Sequence, residues 1–318
     1  MTTPHLDVRV ARKATEVPDI CSLELVCVDG RPLPAFSAGS HVDVHLPNGI
    51  VRQYSLFNDP DERHRYMIAV LKDPGSRGGS RAVHEMLNEG QSLRISPPRN
   101  LFPLAPSARR SLLLAGGIGI TPILSMARRL SAQGADFELH YCTRSRARTA
   151  FRDSILDSAF SSRARFHHDD QGSLDLAALL AGPSVDRHLY ACGPKGFMDA
   201  VIDNAKRSGW AEENVHYESF SPATISRDGD ATFDVKLARS GRVISIPSDR
   251  SVTQALADAG IVIDTSCEQG VCGTCLTRVL EGQPDHRDMF LSPAEQDAGD
   301  CFLPCCSRSR SPTLVLDL

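Results

Sequence analysis

Ten cysteines fall in 318 residues, and several stand where they could share one task. Cys267, Cys272 and Cys275 follow one another as C-x4-C-x2-C in a polar loop, and the pair Cys305 and Cys306 comes thirty residues later. Three thiolates from one loop with a distant fourth is the plant-type spacing that holds a 2Fe-2S cluster, with backbone N–H groups of the loop bonding to sulfur. Gly270 and Gly273 let the backbone wrap closely where a Cβ would intrude. Structural zinc sites usually draw on two short pairs of ligands, and buried free thiols do not concentrate in a loop of this kind. Spacing alone leaves the fourth ligand open between Cys305, Cys306 and the nearby Cys301. Adjacent residues on extended chain face opposite ways, so one of the pair is expected to face the cluster and the other to pack elsewhere.

Other groups offer nucleotide chemistry. Arg52-Gln53-Tyr54-Ser55 ends a predicted strand with a guanidinium, an aromatic ring and a hydroxyl, and Arg77-Gly78-Gly79-Ser80 leads into a predicted helix over about 80–87. The free N–H groups and the positive dipole end of that helix suit a phosphate. A planar-ring contact and a phosphate site close in sequence suggest a flavin nucleotide. Further on, Gly116-Gly117-Ile118-Gly119-Ile120 joins a predicted strand at 111–115 to a predicted helix at 121–130. Parallel α/β folds accept a nucleotide at such a turn. Thr121 is expected to cap this helix and Pro122 to take its first position; because Pro122 stands where a third glycine would, this is not G-x-G-x-x-G. Cys192-Gly193-Pro194 falls at another strand-to-helix junction on the same edge, and Arg144, Arg146 and Arg148 follow a strand where a ribose or phosphate would lie. His167-His168-Asp169-Asp170 has metal-ligand residue types without helical spacing and reads as a polar loop.

Three blocks of elements must carry these groups. From 6 to 104, short alternating segments at 6–10, 20–28, 41–46, 66–71 and 92–96 are punctuated by Asp29-Gly30, Asn48-Gly49 and Pro74-Gly75, the pattern of an antiparallel β-barrel or sandwich. Proline-rich stretches at 97–98 and 103–106 precede a change of period. Strands at 137–143, 165–167 and 188–191 then alternate with helices near 150–159, 174–180 and 195–208, predicting an α/β parallel sheet. A polar stretch at 221–230 reads as a linker. Beyond it a hairpin at 233–237 and 243–246, a helix at 252–259, the cysteine loop and a last strand at 314–318 suggest an α+β, β-grasp ferredoxin module. The expected domains are 1–105, 106–222 and 232–318, with 223–231 between the last two.

Composition narrows the class. With 41% hydrophobic residues the chain can bury sizeable cores. The net charge of -4 and the lack of a basic patch with interleaved aromatics exclude a nucleic-acid binder. Residues 230–318 hold 13 of the 39 Asp and Glu but 8 of the 35 Lys and Arg, so the acidic excess sits with the cysteine loop, where it could steer a basic protein partner. The start, Met1-Thr-Thr-Pro-His, resembles no signal peptide, and the apolar run 112–126 is broken by three glycines and Pro122. A cytoplasmic protein outside the membrane is expected, in a reducing compartment.

Arg52-x-Tyr54-Ser55, Gly78-Gly79-Ser80, Gly116-Gly117-x-Gly119-x-Thr121-Pro122, Cys192-Gly193-Pro194, Glu218-x-Phe220 and the cysteine run together resemble the reductases of phthalate dioxygenase and vanillate demethylase type. The resemblance spans essentially the whole chain and implies an FMN-binding barrel, a pyridine-nucleotide domain and a C-terminal plant-type ferredoxin, with FMN, a 2Fe-2S cluster and NADH as cofactors. It implies that Arg52, Gly78, Gly79 and Ser80 hold the flavin phosphate, that Tyr54 and Ser55 contact the isoalloxazine, and that Phe220 lies on its other face. Gly116, Gly117, Gly119, Thr121, Pro122, Arg144, Gly193 and Pro194 would serve the dinucleotide, and Cys192 would sit near the nicotinamide. Ser55, Thr121, Cys192 and Glu218 would surround the reacting atoms. In the family the last cluster ligand precedes one residue and then Ser-Arg, which favours Cys305 in Cys305-Cys306-Ser307-Arg308; the family usually has an aliphatic residue at position 306. The activity so implied is that of a monomeric reductase component passing electrons from NADH to a separate terminal oxygenase that docks near the ferredoxin domain. The competing readings are a stand-alone flavin reductase feeding a small carrier and a non-catalytic redox sensor.

Overall fold

The computed structural model describes residues 5–76, 78–172, 174–220, 229–268 and 270–318. Arg77 and most of the expected linker lie outside the described residues. The chain divides into two compact units, Met1–Phe220 and Ser221–Leu318.

The first unit opens with β1 (Leu6–Val17), β2 (Ile20–Cys27), β3 (Ser40–His45), β4 (Val51–Ser55), β5 (Tyr66–Leu71), helix α1 (Gly79–Met86), β6 (Ser92–Ile95) and β7 (Arg99–Asn100). These strands form one antiparallel sheet in the order β4-β3-β6-β1-β2-β5, with β7 beside β3. A bridge between Leu56 and Ile68 links the two ends of that order. Period-two alternation turns Val8, Val10, Leu23, Leu25, Val42 and Val44 into a common core that α1 covers with Ala82 and Val83. The long β1 bends past its predicted end at two irregularities in its pairing with β2.

The same unit continues through β8 (Arg110–Gly116), α2 (Ile120–Ala132), β9 (Asp136–Thr143), α3 (Arg152–Leu156), β10 (Ala164–His168), α4 (Leu176–Leu179), β11 (Arg187–Gly193), α5 (Lys195–Arg207) and β12 (Val215–Ser219). The strands are parallel in the order β10-β9-β8-β11-β12. Ser111 to Gly116 are all buried because helices cover both faces. Leu113 and Ala115 enter a core with α2, while Leu112 and Leu114 enter another with α5 and Trp210. Helices expected near 150–159 and 174–180 shorten to α3 and α4.

Helix α2 starts one residue before its expected position. A tight turn at Gly117–Gly119 runs straight into it, so Gly119 is its N-cap and Thr121 lies inside the first turn. Thr121 therefore does not cap; its hydroxyl donates to the Ile118 carbonyl at 3.2 Å. Pro122 is the third helical residue, still within the turn whose N–H groups have no helical partner.

The second unit contains β13 (Phe233–Leu237), β14 (Val243–Ile246), α6 (Val252–Asp258), β15 (Thr277–Glu281), β16 (Pro284–Asp285), α7 (Pro293–Ala298), β17 (Cys301–Phe302), β18 (Arg308–Ser309) and β19 (Thr313–Leu316). Its sheet runs β14-β13-β19-β15-β17, with β13 and β19 parallel. Val235, Leu237, Ile246, Leu256, Phe302, Leu314 and Leu316 make its core. Ser251 and Gln254 form a capping box at the start of α6. Among the described residues no helix is long and apolar enough to cross a membrane.

Candidate functional site

In the first unit the site groups gather at strand ends and glycine turns. Gly79, at the start of α1, has no room for a Cβ, which would lie 2.8 Å from Arg52 Cγ and 3.0 Å from Nε. The Arg52 stem therefore lies against the helix start, and its Nη1 donates to the Val51 carbonyl at 2.7 Å. Gly78 precedes the helix at φ +103, which glycine adopts without strain. Ser76 Oγ accepts from Gly78 N and Ser80 N at 3.2 and 3.3 Å, and Ser80 Oγ accepts from Asp73 N. At the other end of α1, Lys13 Nζ donates to the carbonyls of Val83, His84 and Leu87 at 3.0, 2.7 and 2.7 Å, a brace that nothing in the sequence signals.

Across the sheet edges, β11 and β12 run in register with Cys192 opposite Glu218. Ser55, at the end of β4, donates to Glu218 Oε2 at 3.3 Å. Three residues separated widely in sequence are thereby brought together. The carboxyl of Glu218 is the enclosed end of a half-buried residue. Burial pushes it up to about 7 against the pull of the Ser55 hydroxyl. Cys192 is fully buried, and burial, then the neighbouring Glu218, holds its thiol protonated. Tyr54 is likewise held neutral by burial. Phe220, one residue past β12, is 37% exposed, Pro194 precedes α5 on the surface, and Arg144 is exposed beyond β9.

The glycines of both strand-to-helix turns interlock. A Cβ on Gly119 would collide with the Cys192 carbonyl and lie 2.6 Å from Gly193 N. One on Gly116 would meet Phe197 and Pro194, and one on Gly193 would stand 3.0 Å from Gly116 Cα. Gly117 instead has open space and a φ of +54. The β8 and β11 turns therefore pack backbone to backbone, leaving their N–H groups at the sheet's carboxyl edge.

In the second unit Cys267, Cys272, Cys275 and Cys305 are all buried. The thiols stand two by two: Cys272 beside Cys267, and Cys275 beside Cys305. Hydrogen bonding from Cys267 lowers the Cys272 thiol, and bonding from Cys275, then Cys306, lowers Cys305. Among the described residues no three His, Cys, Asp or Glu side chains close on one ion-sized point. Two pairs of thiols fit a two-iron cluster, in which each iron takes two. Thr274 N already points at Cys272 Sγ, 3.5 Å away. Gly270 and Gly273 have φ of +75 and +69, and a Cβ on Gly273 would enter the Phe290 ring.

The expected opposition of Cys305 and Cys306 does not hold. Cys306 N and Ser307 N both donate to the Leu303 carbonyl, at 3.1 and 2.9 Å, so this stretch is a turn instead of extended chain. Both thiols face inward, with Cys306 beside Cys305.

Glycine turns at the carboxyl edge of a parallel sheet and four buried thiols in the plant-type spacing point to one class, an electron-transfer flavin and iron–sulfur oxidoreductase. Residues 235–310 match the 2Fe-2S iron–sulfur cluster binding domain, and residues 91–215 match the N-terminal domain of the dimethylamine monooxygenase subunit DmmA-like family. The chain is 57% identical over 316 residues to a vanillate O-demethylase oxidoreductase of Pseudomonas putida, covering 98% of this chain and 100% of that one. It is 42% identical over 326 residues to the phthalate dioxygenase reductase of Burkholderia cepacia, covering 100% of both. A solved phthalate dioxygenase reductase, described as a modular structure for electron transfer from pyridine nucleotides to [2Fe-2S], matches at 42% identity and a TM-score of 0.78 over the full length of both chains. The chain belongs to the phthalate dioxygenase reductase and vanillate O-demethylase reductase family. Its cofactors are FMN, a 2Fe-2S cluster and NADH, and it is the reductase component of an oxygenase system, working with a terminal oxygenase.

Proposed function

We propose that this reductase serves an aromatic O-demethylase of the vanillate type. The observation that carries the reading is the 57% identity to a vanillate O-demethylase oxidoreductase across the whole of both chains. Bound together, the three cofactors supply hydride transfer from nicotinamide to flavin and one-electron release through the cluster.

The residues divide this work. Arg52 and the start of α1 bind the flavin phosphate; the guanidinium stem seated against Gly79 at the helix start supports this. Tyr54, Ser55 and Phe220 flank the flavin ring. Gly116, Gly117, Gly119, Thr121, Pro122, Arg144, Gly193 and Pro194 receive the dinucleotide at the sheet's carboxyl edge. Ser55, Thr121, Cys192 and Glu218 line the place of hydride transfer, where Ser55 and Glu218 hold a proton between Oγ and Oε2 and Cys192 presents a neutral thiol. Cys267, Cys272, Cys275 and Cys305 ligate the irons. The first sheet is a flavin barrel over 1–105, the parallel sheet is the NAD domain over 106–222, and 232–318 is a β-grasp ferredoxin joined through 223–231. The protein works as a cytoplasmic monomer, and the oxygenase docks on the acidic face of the ferredoxin.

The test is reconstitution. With NADH and a purified vanillate-type terminal oxygenase, the chain is expected to sustain release of the demethylated phenol in step with NADH consumption. Transfer to ferricyanide at full rate, with no product from that oxygenase under the same conditions, would overturn the reading.

A further inference from the structure

We propose that the antiparallel sheet carries, beside the β1–β2 pair, a binding site for a small organic anion: a carboxylate or phosphate group on an apolar body. The site is an open cavity of about 520 Å³, lined by Arg9, Arg31, Arg63 and His64 together with Val28 and Pro32. None of its lining residues is Asp or Glu, and none belongs to the flavin, nucleotide or cluster sites.

Backbone hydrogen bonds shape the cavity. Alternation along β1 buries Val8 and Val10 in the core and turns Arg9 outward, opposite Val26 of β2. Past β2 the chain turns at Gly30, with φ +74, and Gly30 N donates to the Cys27 carbonyl at 3.2 Å. A reciprocal pair of bonds ties the far wall. Leu33 N donates to the Arg63 carbonyl at 2.7 Å, and Arg63 Nε donates to the Leu33 carbonyl at 3.2 Å. The concavity is therefore formed by sheet and turn, and its volume falls within the range of small-molecule sites, about 300–1,000 Å³.

Charge selects the ligand. Asp29 matches one guanidinium, that of Arg31, at 2.5 Å. Among the described residues none pairs with the side chain of Arg9 or of His64, and the bond of the Arg63 guanidinium goes to a neutral carbonyl. Two guanidinium charges thus face one concavity without a counter-charge, and a cleft lined by one sign of charge concentrates ions of the other. A guanidinium binds carboxylate or phosphate through paired N–H groups. Val28, 53% exposed, and Pro32 add an apolar wall. A bare inorganic ion would leave that wall wet, whereas a ring or chain behind the anionic group would cover it.

The test is a calorimetric titration of the holoprotein in phosphate-free buffer, with NAD⁺ at saturation so that the nucleotide edge is filled. Benzoate, phenyl phosphate and uncharged benzamide are the probes, and the tighter of the two anions identifies the group the cavity takes. One anion per chain is expected to bind saturably, and benzamide is not. Arg9→Gln should weaken anion binding by at least about tenfold, the effect of losing one charged hydrogen bond. Val28→Glu, which sets a carboxylate in the wall, should abolish it. Both variants should oxidise NADH with ferricyanide at the wild-type rate, because neither side chain touches the cofactor sites. No saturable binding of either anion, equal affinity for benzamide, unchanged affinity in Arg9→Gln or retained binding in Val28→Glu would each overturn the site. Should one variant fail to fold, the other decides alone.

Discussion

Gly119→Ala isolates the close packing of the two glycine turns that follow β8 and β11. At φ −61 the backbone already suits alanine, so no conformational penalty enters and the whole effect is steric. The new methyl would lie 2.6 Å from Gly193 N and nearer still to the Cys192 carbonyl, both backbone atoms that cannot swing aside. Ordinary contact needs about 3.5 Å, so the two turns must part by roughly 1 Å. Overpacking of this kind costs about 2 kcal/mol, which lowers the melting temperature by about 4–8 °C in a domain of this size. A displacement of about 1 Å at the point of attack costs on the order of a hundredfold in rate, read as kcat/KM for NADH with ferricyanide as acceptor. Gly134→Ala, just past α2, is the control, with open space and a φ of +65: it should cost about 1 kcal/mol in backbone strain and leave NADH kinetics within a few fold. If the two variants melt alike and oxidise NADH alike, the interlocked turns do not position the nucleotide.

Cys275→Ser should lose the cluster, seen as loss of the reduced EPR signal, while ferricyanide reduction by NADH persists with FMN still bound; loss of that activity would break the modular scheme. Arg52→Ala should weaken FMN binding by roughly tenfold or more in a fluorescence titration, since a charged bond to phosphate contributes about 1.5–3 kcal/mol; unchanged affinity removes Arg52 from the phosphate site. Glu218, raised from 4.5 to about 7, binds its proton more tightly folded than unfolded, so its contribution to stability is fullest below about 4.5 and is lost as pH rises to about 7. Glu218→Gln should flatten that part of the stability profile, measured by urea unfolding across this range, and an unaltered profile would place the carboxyl in water. The side chain of Asp230, 3% exposed, meets Arg287 at 2.6 Å and Arg308 at 3.2 Å. Asp230→Ala leaves Arg308 buried without its carboxylate, at a cost of about 3 kcal/mol, and the cluster's visible absorption should bleach at a lower temperature; bleaching at the wild-type temperature would count against the ion pair.

Periodicity and glycine placement made much of this architecture legible. The strands of the parallel sheet announced themselves because Leu112, Leu113 and Leu114 must satisfy hydrophobic cores on both faces. The cysteine loop was legible because metal ligation fixes residue type and spacing together. What stayed hidden depends on contacts between distant segments. Lys13 lies seventy residues from the first carbonyl it caps, and Ser55 lies 163 from Glu218; no local pattern encodes either. Thr121 misled because threonine before proline is a good cap signal, yet the turn at Gly117–Gly119 began the helix early. The pair Cys305 and Cys306 departs from expectation for a related reason: the chain there is folded back on Leu303 instead of extended.

The first unit gains its precision from a core that its two sheets share. Ile20, Ala38, Phe57, Ala69 and Phe102 from the antiparallel region pack in one cluster with Leu113, Ile120, Leu124 and Tyr141 from the parallel region. Phe57 and Phe151 stand 4.6 Å apart, and Ser125 Oγ donates to the Asn58 carbonyl at 3.1 Å. Close-packed interiors do not slide continuously, so the end of β4 and the edge of β11 and β12 keep a fixed separation. The Ser55 to Glu218 bond can therefore form between two sheets without a loop to bring them together. A hydride donor and its acceptor need that same constancy, since reacting atoms must meet at about 3–3.5 Å. That shared core sets the separation of Ser55 and Glu218, which is why cavity-forming changes in it, at Phe57 or Leu124, should lower the rate of NADH oxidation before they unfold the protein.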